Sequence, residues 1–424
     1  MIPHFMTALN GPVGEIEQRM LDCAPAIERW LRSEWLQHVP PFYTSVDIRN
    51  AGFKVAPVDT NLYPGGWNNL APEMLPLAGR AARTMLKRLC PDVMRVLLLP
   101  ENHTRNAFYL KNVRALRQIL DAAGVAHEVG TLSPDIRRPT QVDLGDGQQM
   151  TFAPVTRRQG RLVLDTFSPD VILLNNDLSA GLPPALDGLD GQRVTPPLQA
   201  GWYVRRKSRH FSAYEAVSRR FAAMLEVDPW LLDSLFDHCE DVDFATASGI
   251  DDLQARVDAL LMRIRRKYKE YGIEELPFVV IKADNGTYGM GIMMVRDASE
   301  LNTLNRRVRN KMAVVKDGQR VSSVLIQEGV RTREVIHHAV AEPVVYLIGQ
   351  QVVGGFYRAN ATRGADENLN APGAAFHQMP LQDSGHDAAN RFYMYGVTGQ
   401  LAALAASCEL EGQQREAQAC LETA

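Results

Sequence analysis

Residues 281–295 read IKADNGTYGMGIMMV, an apolar run on either side of a glycine-rich middle. PFVVIKA before the middle and IMMV after it carry the β-branched and long apolar side chains that suit strands, and Gly286, Gly289 and Gly291 between them supply a permissive turn. A strand therefore delivers Lys282 to a loop whose backbone amides can fold over an anion while the lysine neutralises it. The pattern is neither the Walker lysine motif nor the strand-to-helix dinucleotide fingerprint. By itself such a hairpin is as readily a structural turn, and its meaning comes from its surroundings.

The chain that follows keeps the β character. SSVLIQEGV (322–330) places an apolar strand directly before Gln327 and Glu328. In a nucleotide site that position offers backbone groups to adenine and an acid to ribose; the plain alternative is a strand cap. EPVVYLIGQQVVGGFYRAN (342–360) is two apolar runs about Gly349-Gln350, a hairpin signal. RANATRGADENLNAPGAAF (358–376) then gathers Arg358, Arg363, Asp366, Glu367, Asn368 and Asn370 almost without apolar filler. Carboxylates beside Asn amides suit Mg²⁺ and the arginines suit a phosphoryl group, whereas a solvated loop is seldom so dense in both signs.

Upstream the pattern changes. VMRVLLLPENHTRN (93–106) and SPDVILLNNDLSAGLPP (168–184) are apolar strands that empty into polar residues, separated by helical periodicity near 107–123. Strands alternating with helices predict an α/β unit with a largely parallel sheet. Helical spacing also covers 12–38, 75–90 and most of 207–270, including the basic run MRIRRKYKEYG, which reads as a solvated helix face because acidic residues follow at once. SVDIRNAGFKVAPVDTNLYPGGWNNLAPE (45–73) interleaves charge with Gly and Pro and is expected to be a loop system. A helix covers 397–412, with a polar tail beyond residue 410.

The composition excludes several classes. With 46 Lys+Arg against 49 Asp+Glu the formal charge is -3, too small for a global nucleic-acid field. Hydrophobic residues at 46% and charged residues at 22% are those of a globular chain. Five well-separated cysteines with no C-x-x-C form neither a disulfide framework nor a zinc site. The first twenty residues lack a signal-peptide pattern and no run approaches a membrane span, so the expectation is a cytoplasmic protein without membrane or nucleic-acid partners.

With these motifs in order, the chain resembles the ATP-grasp ligases of the glutathione synthetase-like superfamily, and within them the proteobacterial-type glutamate-cysteine ligases. GWYVRRKSRHF carries Lys207 as a first nucleotide lysine, IKADNGTYGMGI the second lysine and its glycine flap, IQEGV the adenine hinge, and YRANATRGADENLNAPGA the Arg/Asn stretch. SVDIRNAGFKVAPVDTNLYPGGWNNL, PENHTRN and NNDLS extend the likeness over nearly the whole chain.

The resemblance implies an α/β (α+β) chain: an N-terminal α/β substrate-binding domain (1–200), a helical linker part (201–275), an ATP-grasp nucleotide- and metal-binding part (276–410) and a flexible tail (411–424). It implies ATP with Mg²⁺ (or Mn²⁺), and L-glutamate and L-cysteine joined through a γ-glutamyl phosphate. Lys282 and Arg358 are then catalytic; Lys207, Lys282, Gly286, Gly289, Gly291, Gln327 and Glu328 hold ATP. Glutamate, with two carboxylates and an ammonium, calls for mixed charge: Asp47, Arg49, Lys54, Asp59 and Asn61 in the first segment, Glu101, Asn102, Arg105 and Asn106 in the second. One departure is plain: no terminal Asp strand with Glu-x-Asn follows Asn370. The metal therefore falls to Glu367 and Asn370, with Asp366, Glu328 and Glu342 in reserve. Two rival readings stand: a ligase adding glutamate to another amine or peptide, and a nucleotide- or RNA-binding module without catalysis. Self-association stays open.

Overall fold

The computed structural model describes residues 12–102, 106–145, 147–285, 291–314, 318, 320–379 and 392–422. Gly286, Gly289 and Arg105 lie outside the described residues. Helices α1 (Pro12–Asp22) and α2 (Ala24–Gln37) come first, followed by β1 (Tyr43–Asn50) and β2 (Val55–Asn61). The last two replace the expected loop. Val46 and Ile48 are buried in the core while Asp47 and Arg49 alternate with them, so a strand with one apolar and one charged face reads locally as polar coil.

Next come α3 (Leu75–Leu89), β3 (Arg95–Pro100), α4 (Ala107–Ala122), β4 (Ala126–Thr131), β5 (Thr140–Asp143) and β6 (Gln149–Pro154). A hairpin of β7 (Thr156–Arg158) and β8 (Arg161–Val163) precedes β9 (Val171–Asn175) and β10 (Arg193–Thr195). The order β10-β9-β3-β4-β6-β5 is parallel except at the β5–β6 pair, as the strand-helix alternation predicts. Leu97, Leu98, Leu99, Ile172 and Leu174 are buried because α3 and α4 and the neighbouring segments cover both faces.

The second half opens with α5 (Lys207–Leu225), β11 (Phe236–Glu240) and α6 (Ile250–Glu270), then β12 (Val279–Ala283), β13 (Ile292–Val295), α7 (Arg306–Ala313) and β14 (Ser323–Glu328). Here β11-β14-β12-β13 form an antiparallel sheet. On α6 the face bearing Leu260, Leu261, Ile264 and Tyr268 is buried and Lys267 pairs with Asp228 at 2.7 Å, which accounts for the basic run as an amphipathic helix. The chain ends with β15 (Glu334–Ile336), β16 (Ala339–Ile348), β17 (Gln351–Asn360), β18 (Ala374–Gln378) and α8 (Phe392–Glu422).

These last strands do not form a sheet of their own. The order is β18-β17-β16-β1-β2, so the N-terminal strands complete the C-terminal sheet and a cut at residue 200 does not describe the architecture. The helix α8 runs through Glu422, so residues 411–422 continue a helix and are not a separate tail. Its segment Leu401–Ala405 is buried throughout and packs beneath this sheet; being apolar all round, it has no solvent face to present. Long as it is, no described helix has the length and apolarity to cross a membrane.

A buried ion pair pins this sheet to the β12–β14 sheet. Lys54, just before β2, donates to Glu328 at 2.9 Å, with both side chains almost wholly inaccessible. The Trp230 ring lies 4.1 Å from the ammonium, and its indole N–H together with the Leu235 amide donates to the same carboxylate. Burial pulls the Lys54 pKa down, and the Glu328 carboxylate opposes it. Removing one partner strands a buried charge, so Lys54→Met is expected to cost ~3–5 kcal/mol in urea unfolding, most of it recovered in Lys54→Met/Glu328→Leu. Wild-type stability in the single variant would show that the pair is not structural.

Candidate active site

The two antiparallel sheets face one another across a cavity of about 240 Å³. On one wall stand Phe278, just before β12, and Val280 and Lys282 on it, with Ile292 and Met294 from β13. They are alternate residues on paired strands, so one face of the hairpin supplies an apolar slot ending in a cation. Lys282 donates to the Val58 carbonyl and to Gln327 Oε1, both at 2.7 Å. Burial pushes its pKa down to about 8, with Asp59 opposing.

Asp284, which the sequence reading passed over, ties the second lysine to the first. It follows β12 directly; its carbonyl accepts from the Lys207 amide at 2.8 Å and its carboxylate takes the Ser208 amide at 2.7 Å and the Ser208 hydroxyl at 2.8 Å. This satisfies the first turn of α5 and fixes Lys207 at its N-terminus. Lys207 Nζ reaches Asp59 Oδ1 at 2.5 Å. Burial alone raises the Asp59 pKa, yet the Lys207 and Lys282 ammonium groups outweigh it and hold the carboxyl at about 2.

The opposite wall is the charged face of β1, β2, β16 and β17. Asp47 lies across from Asp59, and Glu342 across from Arg358. Arg358 Nη1 bonds Asp47 and Glu342, each at 2.7 Å, while Arg49 Nε takes the other Glu342 oxygen at 2.8 Å. Burial raises the Asp47 pKa against the pull of Arg358; for Glu342 the same burial is overcome by two guanidinium groups and the pKa falls. Arg358 Nε is buried without a partner among the described residues. Arg49 also donates to the carbonyls of Val330, Ala365 and Glu367, so it anchors the loop 363–370 to the sheet.

On that loop Glu367 accepts from the Gly364 amide at 2.7 Å and from Arg363 at 3.0 Å, which lower its pKa. Asp366 pairs with Arg296. Asn368 and Asn370 complete the rim, and Lys311 on α7 enters the cavity from the other side. Among the described residues no group of three His, Cys, Asp or Glu side chains is placed to hold a metal by itself.

Of the sequence-derived candidates, Asp47, Arg49, Asp59, Lys207, Lys282, Gln327, Glu328, Glu367 and Asn370 line this one cavity, with Arg358 immediately behind Asp47 and Glu342. The Glu328 carboxylate is committed to Lys54 and Trp230, and Lys54 is sealed beneath the sheet, away from the lining. Gly291, at φ +61, accepts from Ala283 through its carbonyl and closes the β12–β13 hairpin. Asn61 accepts from the Tyr63 amide and so shapes a turn. Asn106 caps α4, Asn102 accepts from the Thr131 hydroxyl, and the Glu101 amide donates to Tyr109 at the end of the parallel sheet; none of the four lines the cavity. Phe278 and Val280 could have been found from the sequence, four and two residues before Lys282 in a run of period 2.

Comparison with known proteins accords with this geometry. A family model described as glutamate-cysteine ligase matches residues 17–410. A crystal structure from Methylobacillus flagellatus KT that carries the name gamma-glutamylcysteine synthetase is 52% identical, covers 97% of this chain and 99% of that chain, and superposes with a TM-score of 0.88. A glutathione synthetase-like effector from Globodera pallida (11% identity, 82% of this chain and 84% of that chain, TM-score 0.40) and D-alanyl-alanine synthetase A from Vibrio cholerae (11%, 73% and 81%, TM-score 0.34) are far more distant. A comparison with curated protein sequences finds no match. The chain belongs to the glutamate-cysteine ligase family and is an ATP-dependent ligase that joins glutamate to cysteine.

Proposed function

We propose that the cavity between the two antiparallel sheets holds both ATP and glutamate, the adenine in the Phe278–Met294 slot and the γ-carboxylate between Lys282 and Arg358. The observation that carries this reading is the presence of both charge sets about one cavity: Lys207 and Lys282 on the nucleotide side, and on the other Asp47 with Arg358 directly behind it. Phosphoryl transfer needs little covalent help and much positioning and charge stabilisation. Lys282, held by Val58 and Gln327, meets the phosphates as a fixed point charge. Arg358, whose Nε has no partner among the described residues, steadies the glutamate carboxylate from behind Asp47 and Glu342, and Asp47 takes the ammonium. The γ-phosphoryl group passes from ATP to the glutamate γ-carboxylate and ADP leaves; the amine of cysteine then attacks the γ-glutamyl phosphate and loses a proton, releasing phosphate and γ-glutamylcysteine. The loop 363–370 shields the site from water, which would otherwise hydrolyse the acyl phosphate.

A divalent cation fits the rim chemistry. Glu367 and Asn370 offer carboxylate and amide oxygens, and Mg²⁺ ordinarily takes the rest of its shell from phosphates and water. Bound there, Mg²⁺ or Mn²⁺ would neutralise charge on the transferred phosphoryl group. The four described cysteines Cys23, Cys90, Cys239 and Cys408 are free thiols, which supports a reducing cytoplasm as the place of action.

Three tests follow from the geometry. Lys282→Met should lower kcat/KM for ATP ~100-fold or more with the fold intact, as loss of a catalytic electrostatic contact does. In the wild type the charged lysine, abundant below its pKa of about 8, is lost as pH rises through that value, so kcat/KM for ATP should fall on the alkaline side and Lys282→Arg should move that limb upward. A flat profile to pH 9.5 would remove Lys282 from the phosphate site.

For the amino acid, Asp47→Asn should raise KM for glutamate ~10-fold or more while that for ATP changes little, because a charge-assisted bond to the ammonium is lost. Equal changes for both would make Asp47 a structural counter-ion of Arg358. For the metal, Glu367→Gln should raise the Mg²⁺ concentration needed for half-maximal activity ~10-fold, with partial recovery in Mn²⁺. An unchanged Mg²⁺ titration would leave Glu367 as the partner of Arg363 and move the ligand to Asp366 or Glu342.

A further inference from the structure

Strand β2 is the edge of its sheet, paired only with β1. The β1–β2 register shifts between Asp47/Asp59 and Ile48/Pro57, so Val58 is an extra residue with no partner on β1. An edge strand presents unpaired backbone groups, and a bulge re-aims them. Three consecutive residues here each engage a different cation. The Val58 carbonyl accepts from Lys282 at 2.7 Å, the Asp59 carboxylate from Lys207 at 2.5 Å, and the Thr60 carbonyl from Arg205 at 2.9 Å.

Arg205 is among the largest fully buried side chains of the protein. Its Nε and Nη2 meet Glu409 Oε1 and Oε2 at 2.9 and 3.0 Å, a two-point grip by the C-terminal helix α8. Glu409 also meets His210 Nδ1 at 3.1 Å, one turn along α5 from Lys207. Arg205 and Lys207 lie 4.9 and 4.7 Å from the same Trp202 ring. No contact on this path involves Arg49, Glu342 or Arg358.

We propose that the outer edge of β2 is a template that sets the separation of Lys207 and Lys282, and that Glu409 on α8 is a positioning residue of the ligase reaction, acting through Arg205 on Thr60 and its neighbours. The proposal rests on the reading of those lysines as phosphate ligands. A bulged edge whose backbone ladder, among the described residues, is with β1 alone has no hydrogen-bonded neighbour along its outer side; the buried Glu409–Arg205–Thr60 chain fastens that side to the central helix. The two lysines then stand at a fixed spacing before any nucleotide arrives, which is preorganisation of the phosphate site. Because the chain touches β2 but makes no contact with Arg49, Glu342 or Arg358, its loss should fall much more heavily on ATP than on glutamate.

The test compares wild type, Glu409→Gln, the pair variant Arg205→Met/Glu409→Leu, and Lys282→Met, by ADP release with MgATP, glutamate and cysteine, alongside thermal unfolding. Replacing a buried ion pair by apolar side chains of similar size is often neutral for stability, so the pair variant is expected to fold. It should raise KM for ATP ~10-fold and lower kcat ~10-fold, the scale of a misplacement of under 1 Å, with KM for glutamate within ~2-fold of wild type. Wild-type ATP parameters in the folded pair variant, or equal losses for ATP and glutamate, would overturn the proposal. Should the pair variant not fold, Glu409→Gln decides by the same criterion. Lys282→Met keeps the two readings apart: normal ATP kinetics there would sink the assignment of the phosphate site, whereas normal kinetics confined to the Glu409 variants would sink the template alone.

Discussion

Buried charge must be matched, and the junction between the two antiparallel sheets is built to that requirement. Asp47, Glu342 and Asp59 share a small volume with Arg49, Arg358, Lys207 and Lys282, and each is within hydrogen-bond reach of an opposite charge except Lys282, which is held by a carbonyl and an amide oxygen. Desolvating any of these ions alone costs several kcal/mol, so the cluster forms only when both sheets are in place. The site and the fold of this half of the molecule are therefore assembled together.

That requirement also explains the connectivity. Asp47, Arg49 and Asp59 lie within the first sixty residues and Glu342 and Arg358 near the end, yet they occupy one face of one sheet because β1 pairs with both β2 and β16. The opposite face of the same strands packs on α8, whose residues Leu401–Ala405 have nowhere polar to turn. One sheet thus separates a mainly apolar layer from a densely charged one, and the helix that fills the apolar layer also sends Glu409 to the edge of the charged side.

The parallel sheet contributes differently. Its strand ends at 100–102 and 175–177 meet the segment 61–67 in a buried polar knot: Asn175 donates to the Pro64 carbonyl at 3.0 Å and accepts from Asn112 at 2.9 Å, while Asn112 accepts from the Trp67 amide. A knot with its groups satisfied holds the loop that leaves β2 in one conformation. These asparagines are scaffold for the chain that leaves β2, and Glu101, Asn102 and Asn106 beside them stand apart from the cavity.

Local sequence alone determined the strand that ends in Lys282, the glycine hairpin after it, the parallel sheet between 93 and 195 and the identity of most cavity residues. In each case the signal is short in range: a period-2 apolar run, a glycine cluster, or a concentration of charge without apolar filler. Only the tertiary structure decided that residues 43–61 are strands, that they complete a sheet begun three hundred residues later, and that the Lys54 and Glu328 side chains form a buried ion pair between two sheets. It also decided the role of Asp284 and of the edge of β2. The physical reason is that a charged residue looks the same in sequence whether it faces solvent, substrate or an opposite charge; its surroundings are set by strand register and by which sheet packs against which, and both are fixed by burial summed over the whole chain.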